Sequence, residues 1–145
     1  MNCEIRECVL ADAEPIYELN QSEMGYDYSL EETQQNIKEL LQSAHDKIYV
    51  AVVDSIVVGY VHANDYKLIY APPMKNIMGI AVSSKCKRMG IGKALLAAVE
   101  AWARAGGAKG VRLVSGATRK EAHTFYERCG YSGGKHQFNY KKCFE

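Results

Sequence analysis

The sequence has few of the features that mark fibrous, membrane or disulfide-bonded chains. Its 145 residues include only three prolines, one tryptophan and three phenylalanines. No apolar run approaches the roughly 18 residues that a membrane-spanning helix needs, and residues 1–7 carry two acids, unlike a signal peptide. Apolar residues make up 48% and charged residues 24%, which are ordinary globular values. The sequence therefore predicts one globular domain over residues 1–145, without disordered, collagen-like or coiled-coil character.

The cysteines lack the spacing of a metal site or a disulfide framework. They contain no CxxC pair and no regular pattern with the four histidines. Because disulfides are rare in the cytoplasm, we predict reduced thiols, no metal and a cytoplasmic protein. The five cysteines are Cys3, Cys8, Cys86, Cys129 and Cys143.

Charge is balanced overall but divided along the chain. The net charge is +1, yet residues 1–84 contain five basic and 13 acidic residues, whereas residues 85–145 contain 13 basic and four acidic residues. Either the two parts interleave in space and cancel, or the protein has an acidic region and a basic region. Net charge alone does not distinguish nucleic acid from a small polyanion as the partner of the basic part.

Hydrophobic periodicity predicts a mixture of strands and helices. The predicted strands lie at residues 3–9, 47–53, 56–61 (with a continuation to about 65), 76–82, 111–115, 131 and 136–144. The predicted helices lie at residues 12–23, 29–43, 90–105 and 118–129. Asp12 is predicted to cap the first helix, and Ser29 and Thr118 each precede a glutamate by three residues, which predicts two capping boxes. The fold class is therefore α/β or α+β with a partly antiparallel sheet.

A basic, glycine-rich turn before the third helix is the most informative segment. Residues 87–93 read KRMGIGK, with two glycines one residue apart where the helix begins. Glycines let backbone N–H groups point into a concavity without an obstructing Cβ, and a helix N-terminus adds partial positive charge. The segment predicts a phosphate or pyrophosphate site, although a glycine-rich helix start with solvated charges is the alternative.

Two of three phosphate-loop types do not fit this turn. A Walker A loop requires G-x-x-x-x-G-K-[ST], but Lys87 stands five residues before Gly92, and Ala94 follows Lys93. A dinucleotide loop requires a third glycine where Leu95 stands. The third type, [RQ]-x-x-G-x-[GA], matches except that lysine replaces the first residue. In this respect the turn resembles the acetyl-CoA pyrophosphate loop of the GCN5-related N-acetyltransferase (GNAT) family.

A second segment strengthens the resemblance. Residues 122–131, AHTFYERCGY, are similar to the family's A-x-x-[FL]-Y-x-x-x-G-[FY] helix and follow Gly90 at the usual separation. The order of predicted elements also resembles the family over essentially all 145 residues. The resemblance implies a GNAT fold, in which a central, mostly antiparallel mixed sheet has helices on both faces.

The resemblance also implies which residues hold acetyl-CoA as cosubstrate. The strand at residues 76–82 would splay from its neighbour and bind the pantetheine arm through Ile80, Ala81 and Val82. Tyr126 would lie near the CoA sulfur and protonate the leaving thiolate as a general acid. The pyrophosphate would be cradled by Lys87, Arg88, Met89, Gly90, Ile91, Gly92 and Lys93.

Two departures from the family pattern affect this assignment. Arg119 stands where many members have an asparagine that contacts CoA, and an arginine there would meet a phosphate instead. No glutamate occurs on the strand at residues 76–82, where several members carry a general base. The sequence therefore leaves the identity of the general base open.

The resemblance places the amine acceptor at the junction of the first two helices. Glu23 is a candidate base or amine anchor, with a solvated helix-end charge as the alternative. Other acids near this junction are Asp27, Glu31 and Glu32. Four tyrosines, which would either close over an acceptor or pack on the surface, are Tyr26, Tyr28, Tyr66 and Tyr70. His123, one turn before Tyr126, would either tune that tyrosine or pack the helix, and Cys86 is either a reactive thiol or incidental.

Three functions remain open from the sequence. The first is transfer of an acetyl group from acetyl-CoA, by direct attack, to a primary amine of an aminoglycoside-like or polyamine-like small molecule or a peptide. The second is a non-catalytic CoA-binding sensor or assembly subunit of the same fold. The third is nucleic-acid binding, which the dispersed basic residues disfavour. We expect no nucleic-acid or membrane partner and, by analogy with the family, a homodimer.

Overall fold

The computed structural model describes residues 2–144, which form two compact units. The first unit, ending at Leu113, contains the sheet and three helices, and the second, beginning at Val114, contains one helix. In chain order the elements are β1 (Cys3–Glu7), α1 (Ala13–Met24), α2 (Leu30–Gln42), β2 (Asp46–Val53), β3 (Ile56–Tyr66), β4 (Met74–Val82), α3 (Ile91–Ala105), β5 (Val111–Leu113) and α4 (Lys120–Arg128).

The sheet is mixed and mostly antiparallel. Within the described residues it has five strands in the order β1-β2-β3-β4-β5. The first four strands are antiparallel neighbours, and β5 lies parallel to β4. Asp54 and Ser55, with φ of 49° and 67°, form the two-residue turn between β2 and β3, because a left-handed turn matches the twist of a hairpin. This confirms the predicted mixed, mostly antiparallel sheet.

Helices cover both faces of this sheet. The Tyr60 side chain in β3 points towards α1, where its hydroxyl donates to Asn20 Oδ1. A Cβ on the neighbouring Gly59 would meet Leu95 and Ile91 of α3 at 3.3 and 3.4 Å. Because successive residues of a strand face opposite sides, α1 lies on one face and α3 on the other. The residues with no exposed surface are Val50, Ala51, Val61, Ala63, Leu95 and Val99.

The helix starts only partly follow the sequence predictions. At α2 the Ser29 hydroxyl accepts from the Glu32 N–H at 3.1 Å, as predicted, but it also donates to the Glu32 carboxylate at 2.9 Å. The predicted Thr118 capping box is wrong, because Arg119 occupies the N-cap of α4 without a side-chain hydrogen bond. Thr118 instead presents its backbone carbonyl to the Lys120 N–H at 3.0 Å.

Asp12 occupies the N-cap of α1 as predicted, but its side chain makes no hydrogen bond to that helix. Its carboxylate instead makes two bonds to the Arg6 guanidinium, at 2.8 and 2.9 Å, and accepts the Val9 N–H at 2.9 Å. Burial favours the neutral form, but the bonds from Arg6 and Val9 outweigh it and lower the pKa of Asp12. Asp12 therefore joins β1 to the start of α1.

The predicted terminal strands at residues 131 and 136–144 are wrong, since no strand follows β5 among the described residues. An alternating pattern identifies a segment that can form a strand, but a strand also needs an edge with which to pair. Phe138 and Tyr140, which produce the alternation, are each 87% exposed.

Candidate active site

Part of one edge of β4 has no strand beside it in the described residues. The parallel pairing with β5 ends at Ile77. Ile77 lies opposite Ala63 and Gly79 lies opposite His62, which leaves Met78 without a partner in β3. Such a bulge bends its strand. β4 therefore parts from β5 at Met78.

The register with β3 shows which backbone groups face the open edge. The Ser83 N–H donates to the Val58 carbonyl at 2.8 Å. Because bonding alternates along an antiparallel pair, Ala81 also directs its backbone groups towards β3. Ile80 and Val82 direct theirs to the open edge. Of the three residues predicted to bind pantetheine, two therefore present backbone groups there.

The turn between β4 and α3 has an uncommon backbone conformation. Arg88 and Gly90 have φ of 65° and 76°. A Cβ at Gly90 would meet nothing within 4 Å, so glycine is favoured here by its conformation and not by lack of space. Arg88 adopts the left-handed conformation although it carries a Cβ, which costs about 1–2 kcal/mol. Strain of this kind is concentrated at functional sites.

The N-terminus of α3 has backbone donors outside the helical ladder. Ala94 makes the first bond of the ladder, to the Gly90 carbonyl at 3.0 Å. The N–H groups before it therefore have no partner in the helix. They belong to Ile91, Gly92 and Lys93. Together with the partial charge of the helix end, these donors form a site suited to an anion such as phosphate.

The side chains of the turn divide into two groups. Lys87, Arg88 and Lys93 are exposed cations, and Met89 is half-buried. Ile91 is only 2% exposed and packs beside Gly59. The cations add full charge near the backbone donors, whereas Ile91 fixes the start of α3 to the sheet.

Glu23 lies beside the same turn. Its carboxylate accepts the Ser84 N–H at 2.9 Å. This bond joins the last turn of α1 to the segment that follows β4. Glu23 therefore binds a backbone group just before the turn that carries the anion site.

A cleft opens between α1, α2 and the sheet. Its outer cavity, of about 460 Å³, is lined by residues of α1 and the following loop, including Asn20, Tyr26, Asp27 and Tyr28. An inner cavity of about 160 Å³ reaches His62 in β3 and shares Asn20, Tyr28 and Thr33 with the outer one. Because the cavities share these residues, they are neighbours, and together they are named the cleft.

The other predicted acceptor-site residues lie elsewhere. Glu31 is exposed, and Glu32 binds Ser29 in the cap of α2. Tyr66 does not lie in a loop as predicted but ends β3, with the Arg112 guanidinium 4.1 Å from its ring centroid. Tyr70 is 85% exposed.

The floor of the cleft contains polar residues that the sequence analysis missed. The Tyr60 hydroxyl donates to Asn20, and burial raises the pKa of Tyr60 to about 12. His62 Nε2 lies 2.8 Å from Asp46 Oδ1, and Asp46 Oδ2 accepts the Ser43 hydroxyl at 2.7 Å. Because Tyr60 and His62 are two residues apart in a predicted strand, the sequence places them on one face. This shared face was the signal that could have identified them together.

Tyr126 lies in the second unit, on α4. Its ring centroid is 5.3 Å from that of Phe125 and 6.2 Å from that of Tyr131. Burial raises the pKa of Tyr126, and the positive charge of Arg119 opposes this increase in part. The hydroxyl is therefore protonated at neutral pH, as a proton donor must be. His123 Nε2 lies 2.8 Å from the Gly116 carbonyl, so this histidine holds the turn before α4.

Residues 2–144 have neither a membrane-crossing helix nor a cluster of metal ligands. None of their helices combines the length and hydropathy that crossing a membrane requires. They also contain no group of three or more His, Cys, Asp or Glu side chains arranged to hold a metal ion.

Residues 13–131 match the profile of the Acetyltransferase (GNAT) family. The chain belongs to the GNAT family. This confirms the family that the two sequence motifs indicate. No curated protein gives a significant match.

Solved structures share the fold of this GNAT protein. The aminoglycoside N-acetyltransferase AAC(6')-Iy in complex with CoA has a TM-score of 0.87 and 19% identity, over 97% of this chain and 95% of that one. AAC(6')-Ih from Acinetobacter baumannii has a TM-score of 0.84 and 18% identity, over 99% and 100%. A transcriptional regulator from Bacillus halodurans C-125 has a TM-score of 0.87 and 19% identity, over 97% and 100%. These likenesses confirm the predicted GNAT fold.

Proposed function

We propose that this GNAT protein is an N-acetyltransferase that uses acetyl-CoA to acetylate a primary amine. The observation that carries the proposal is the open edge of β4 next to the anion site at α3. Ile80 and Val82 offer backbone groups to an extended chain of amides, as a strand edge does to a peptide. The pantetheine arm of CoA is such a chain, and its pyrophosphate would bind the helix N-terminus.

The turn supplies the charge that CoA requires. Lys87, Arg88 and Lys93 neutralise phosphate, while the N–H groups of residues 91–93 donate hydrogen bonds to it. Arg119, at the N-cap of α4, would add a contact to another phosphate. The solved CoA complex of AAC(6')-Iy, which has the same fold, supports the choice of cosubstrate.

The cleft favours a cationic acceptor. Asp27 offers negative charge, and Tyr26 and Tyr28 offer aromatic faces, which attract ammonium groups. Glu23 would anchor the amine or accept its proton near the turn. Small amines such as aminoglycosides or polyamines, and lysine-containing peptides, all have the required charge. The structure of AAC(6')-Iy with a CoA–acetylneamine bisubstrate analogue supports the first class.

The reaction proceeds by direct attack. A lysine-like ammonium, with a pKa of about 10.4, must first lose a proton so that its nitrogen lone pair can form a bond to the acetyl carbon. N–H groups at the β4 edge stabilise the resulting oxyanion. The C–S bond then breaks, and Tyr126 gives its proton to the leaving thiolate. The nitrogen loses a second proton, which replaces the one that Tyr126 has given.

The test is release of free CoA thiol from acetyl-CoA in the presence of single amines, with the product identified by mass. The panel contains an aminoglycoside, a polyamine and a lysine peptide. Amine-dependent thiol release with a product heavier by one acetyl group is expected. Tight acetyl-CoA binding without turnover of any amine would favour the non-catalytic CoA-binding alternative, and absence of binding would contradict both.

A further inference from the structure

A histidine–aspartate pair forms one end of the inner cavity. His62 Nε2 and Asp46 Oδ1 are 2.8 Å apart, and the side chains are 18% and 15% exposed. The second carboxylate oxygen of Asp46 accepts the Ser43 hydroxyl. Asp46 is thus held from both sides, and in the neutral histidine Nε2–H donates to it. This arrangement leaves Nδ1 as the proton-accepting nitrogen.

The position of His62 places it beside the proposed reaction site. In the register of the sheet it lies opposite Gly79 of β4, one residue before the edge that begins at Ile80. Gly79 has no side chain, and a Cβ there would lie 3.7 Å from the Tyr60 hydroxyl. The surface between His62 and β4 is therefore not covered by a side chain from residue 79.

The chain contains a second histidine–aspartate pair that lies away from the cleft. His45 Nδ1 and Asp65 Oδ2 are also 2.8 Å apart, but their side chains are 76% and 38% exposed. Neither residue lines the cavities of the cleft. Both pairs join an imidazole to a carboxylate, but His45 uses Nδ1 and Asp65 also binds the Lys75 ammonium. Because this pair lies outside the cleft, a change at His45 serves as a control for a change at His62.

We propose that His62, oriented by Asp46, accepts the proton that the acceptor amine must lose before it attacks acetyl-CoA. The proposal rests on the proposed acetyltransferase function. It assigns the general base, for which β4 offers no glutamate. A water molecule in the inner cavity can relay the proton when the amine does not reach the imidazole directly.

The proton balance of this step is simple. The ammonium gives one proton to His62 Nδ1, which leaves a neutral amine and an imidazolium that Asp46 stabilises. After the acetyl group has been transferred, the imidazolium releases this proton to solvent. The second proton of the ammonium follows the route through Tyr126, so one proton is released for each amide formed.

Few other titratable groups face His62 in the described residues. Asp46 of β2 lies within hydrogen-bond distance of its Nε2, and the other titratable residues that line the inner cavity are Tyr60 of β3 and Tyr28 of the loop before α2. The residues of α1 and α2 that line the inner cavity carry no ionisable side chain. A change in the pH profile that follows substitution of His62 can therefore be assigned to this residue.

The experiment measures kcat and KM against pH, from about pH 5.5 to about pH 9, for wild type, His62→Gln, Asp46→Asn and the control His45→Gln. Glutamine at residue 62 keeps an N–H donor for Asp46. We expect His62→Gln to lower kcat about 100-fold and to lose the acid limb of the profile, with the KM for acetyl-CoA unchanged. His45→Gln should behave like wild type.

Asp46→Asn provides a second test if His62→Gln is poorly folded in thermal unfolding. Without the Asp46 carboxylate the protonated form of His62 is less stable, so the acid limb should move to lower pH. An unmoved limb in Asp46→Asn, or a wild-type profile shape in folded His62→Gln, would overturn the inference but not the acetyltransferase function. No turnover of any amine by the wild-type protein would overturn both.

Discussion

The two parts of the candidate site are built in different ways. The anion site uses the backbone of one short segment: the left-handed Gly90 and the first N–H groups of α3. The acceptor cleft uses side chains from several elements, including Asn20 of α1 and Tyr60 and His62 of β3. The backbone conformation of one segment determines the anion site, whereas packing between several elements determines the acceptor cleft. Changes of charge or φ in the turn before α3 should therefore weaken acetyl-CoA binding, whereas side-chain changes in the cleft should leave the KM for acetyl-CoA unchanged.

The largest expected effect comes from reversing charge at the anion site. The double variant Lys87→Glu/Lys93→Glu should weaken acetyl-CoA binding about 100-fold, because repulsion replaces two attractive contacts to phosphate. Calorimetric titration at two salt concentrations measures the loss, which should shrink as salt rises. The control, Lys109→Glu, reverses an exposed lysine after α3. Lys109→Glu changes the net charge by half as much, so a loss of about tenfold in this variant would show that net charge alone governs binding.

A smaller effect should follow from changing the conformation of the turn. In Gly90→Ala the free turn relaxes from φ of 76°, and binding must restore the left-handed form at a cost of about 1–2 kcal/mol. Acetyl-CoA affinity should therefore fall about tenfold. Gly107→Ala is the matched control, because Gly107 has φ of 78° and a Cβ there would also meet nothing within 4 Å. Unchanged affinity in Gly90→Ala would contradict the backbone account.

Removal of charge from the cleft should affect the acceptor and not the cofactor. Asp27→Asn should raise the KM for a cationic amine about twofold to fivefold, since an exposed ion pair contributes at most about 1 kcal/mol. The KM for acetyl-CoA should stay the same. Asp54→Asn, in the β2–β3 turn, serves as the control. A rise in both KM values for Asp27→Asn would show that the two parts of the site are not independent.

The smallest effect concerns stability at alkaline pH. Burial raises the pKa of Tyr60 to about 12, so the unfolded chain ionises first, near the usual pKa of about 10. Below about pH 10 the neutral Tyr60 hydroxyl makes its full contribution to the free energy of unfolding, and this contribution is lost as the pH rises to about 12. Tyr60→Phe should lower stability by about 1 kcal/mol at neutral pH and show a shallower alkaline decline. Urea unfolding measures both, with Tyr70→Phe as the exposed control; parallel declines in Tyr60→Phe and wild type would refute this assignment.

The sequence predicts features that depend on neighbouring residues. The turn at residues 87–93, the two strands predicted at residues 47–53 and 56–61 and the Ser29 cap are short-range patterns, and the structure contains all three. The pairing of His62 with Asp46 joins two strands, and the bond from Tyr60 to Asn20 spans 40 residues. Such contacts follow from register and packing, which no local pattern specifies.

The wrong predictions also concern features that a local sequence pattern does not specify. Asp12 and Thr118 both have the residue type of a helix cap, but Arg6 takes the Asp12 carboxylate and the chain enters α4 through Arg119. Competing partners from other elements decided the outcome for Asp12. The alternation in residues 136–144 carries no information about a partner edge.

Amide hydrogen exchange with and without acetyl-CoA tests the central claim most directly, because it reports the backbone groups that bind. We predict slower exchange in the presence of acetyl-CoA at Ile80, Val82 and residues 91–93, with no change at Asp65, which pairs with Lys75 at the opposite end of β4. Binding of acetyl-CoA without protection at the β4 edge and the start of α3 would contradict the account.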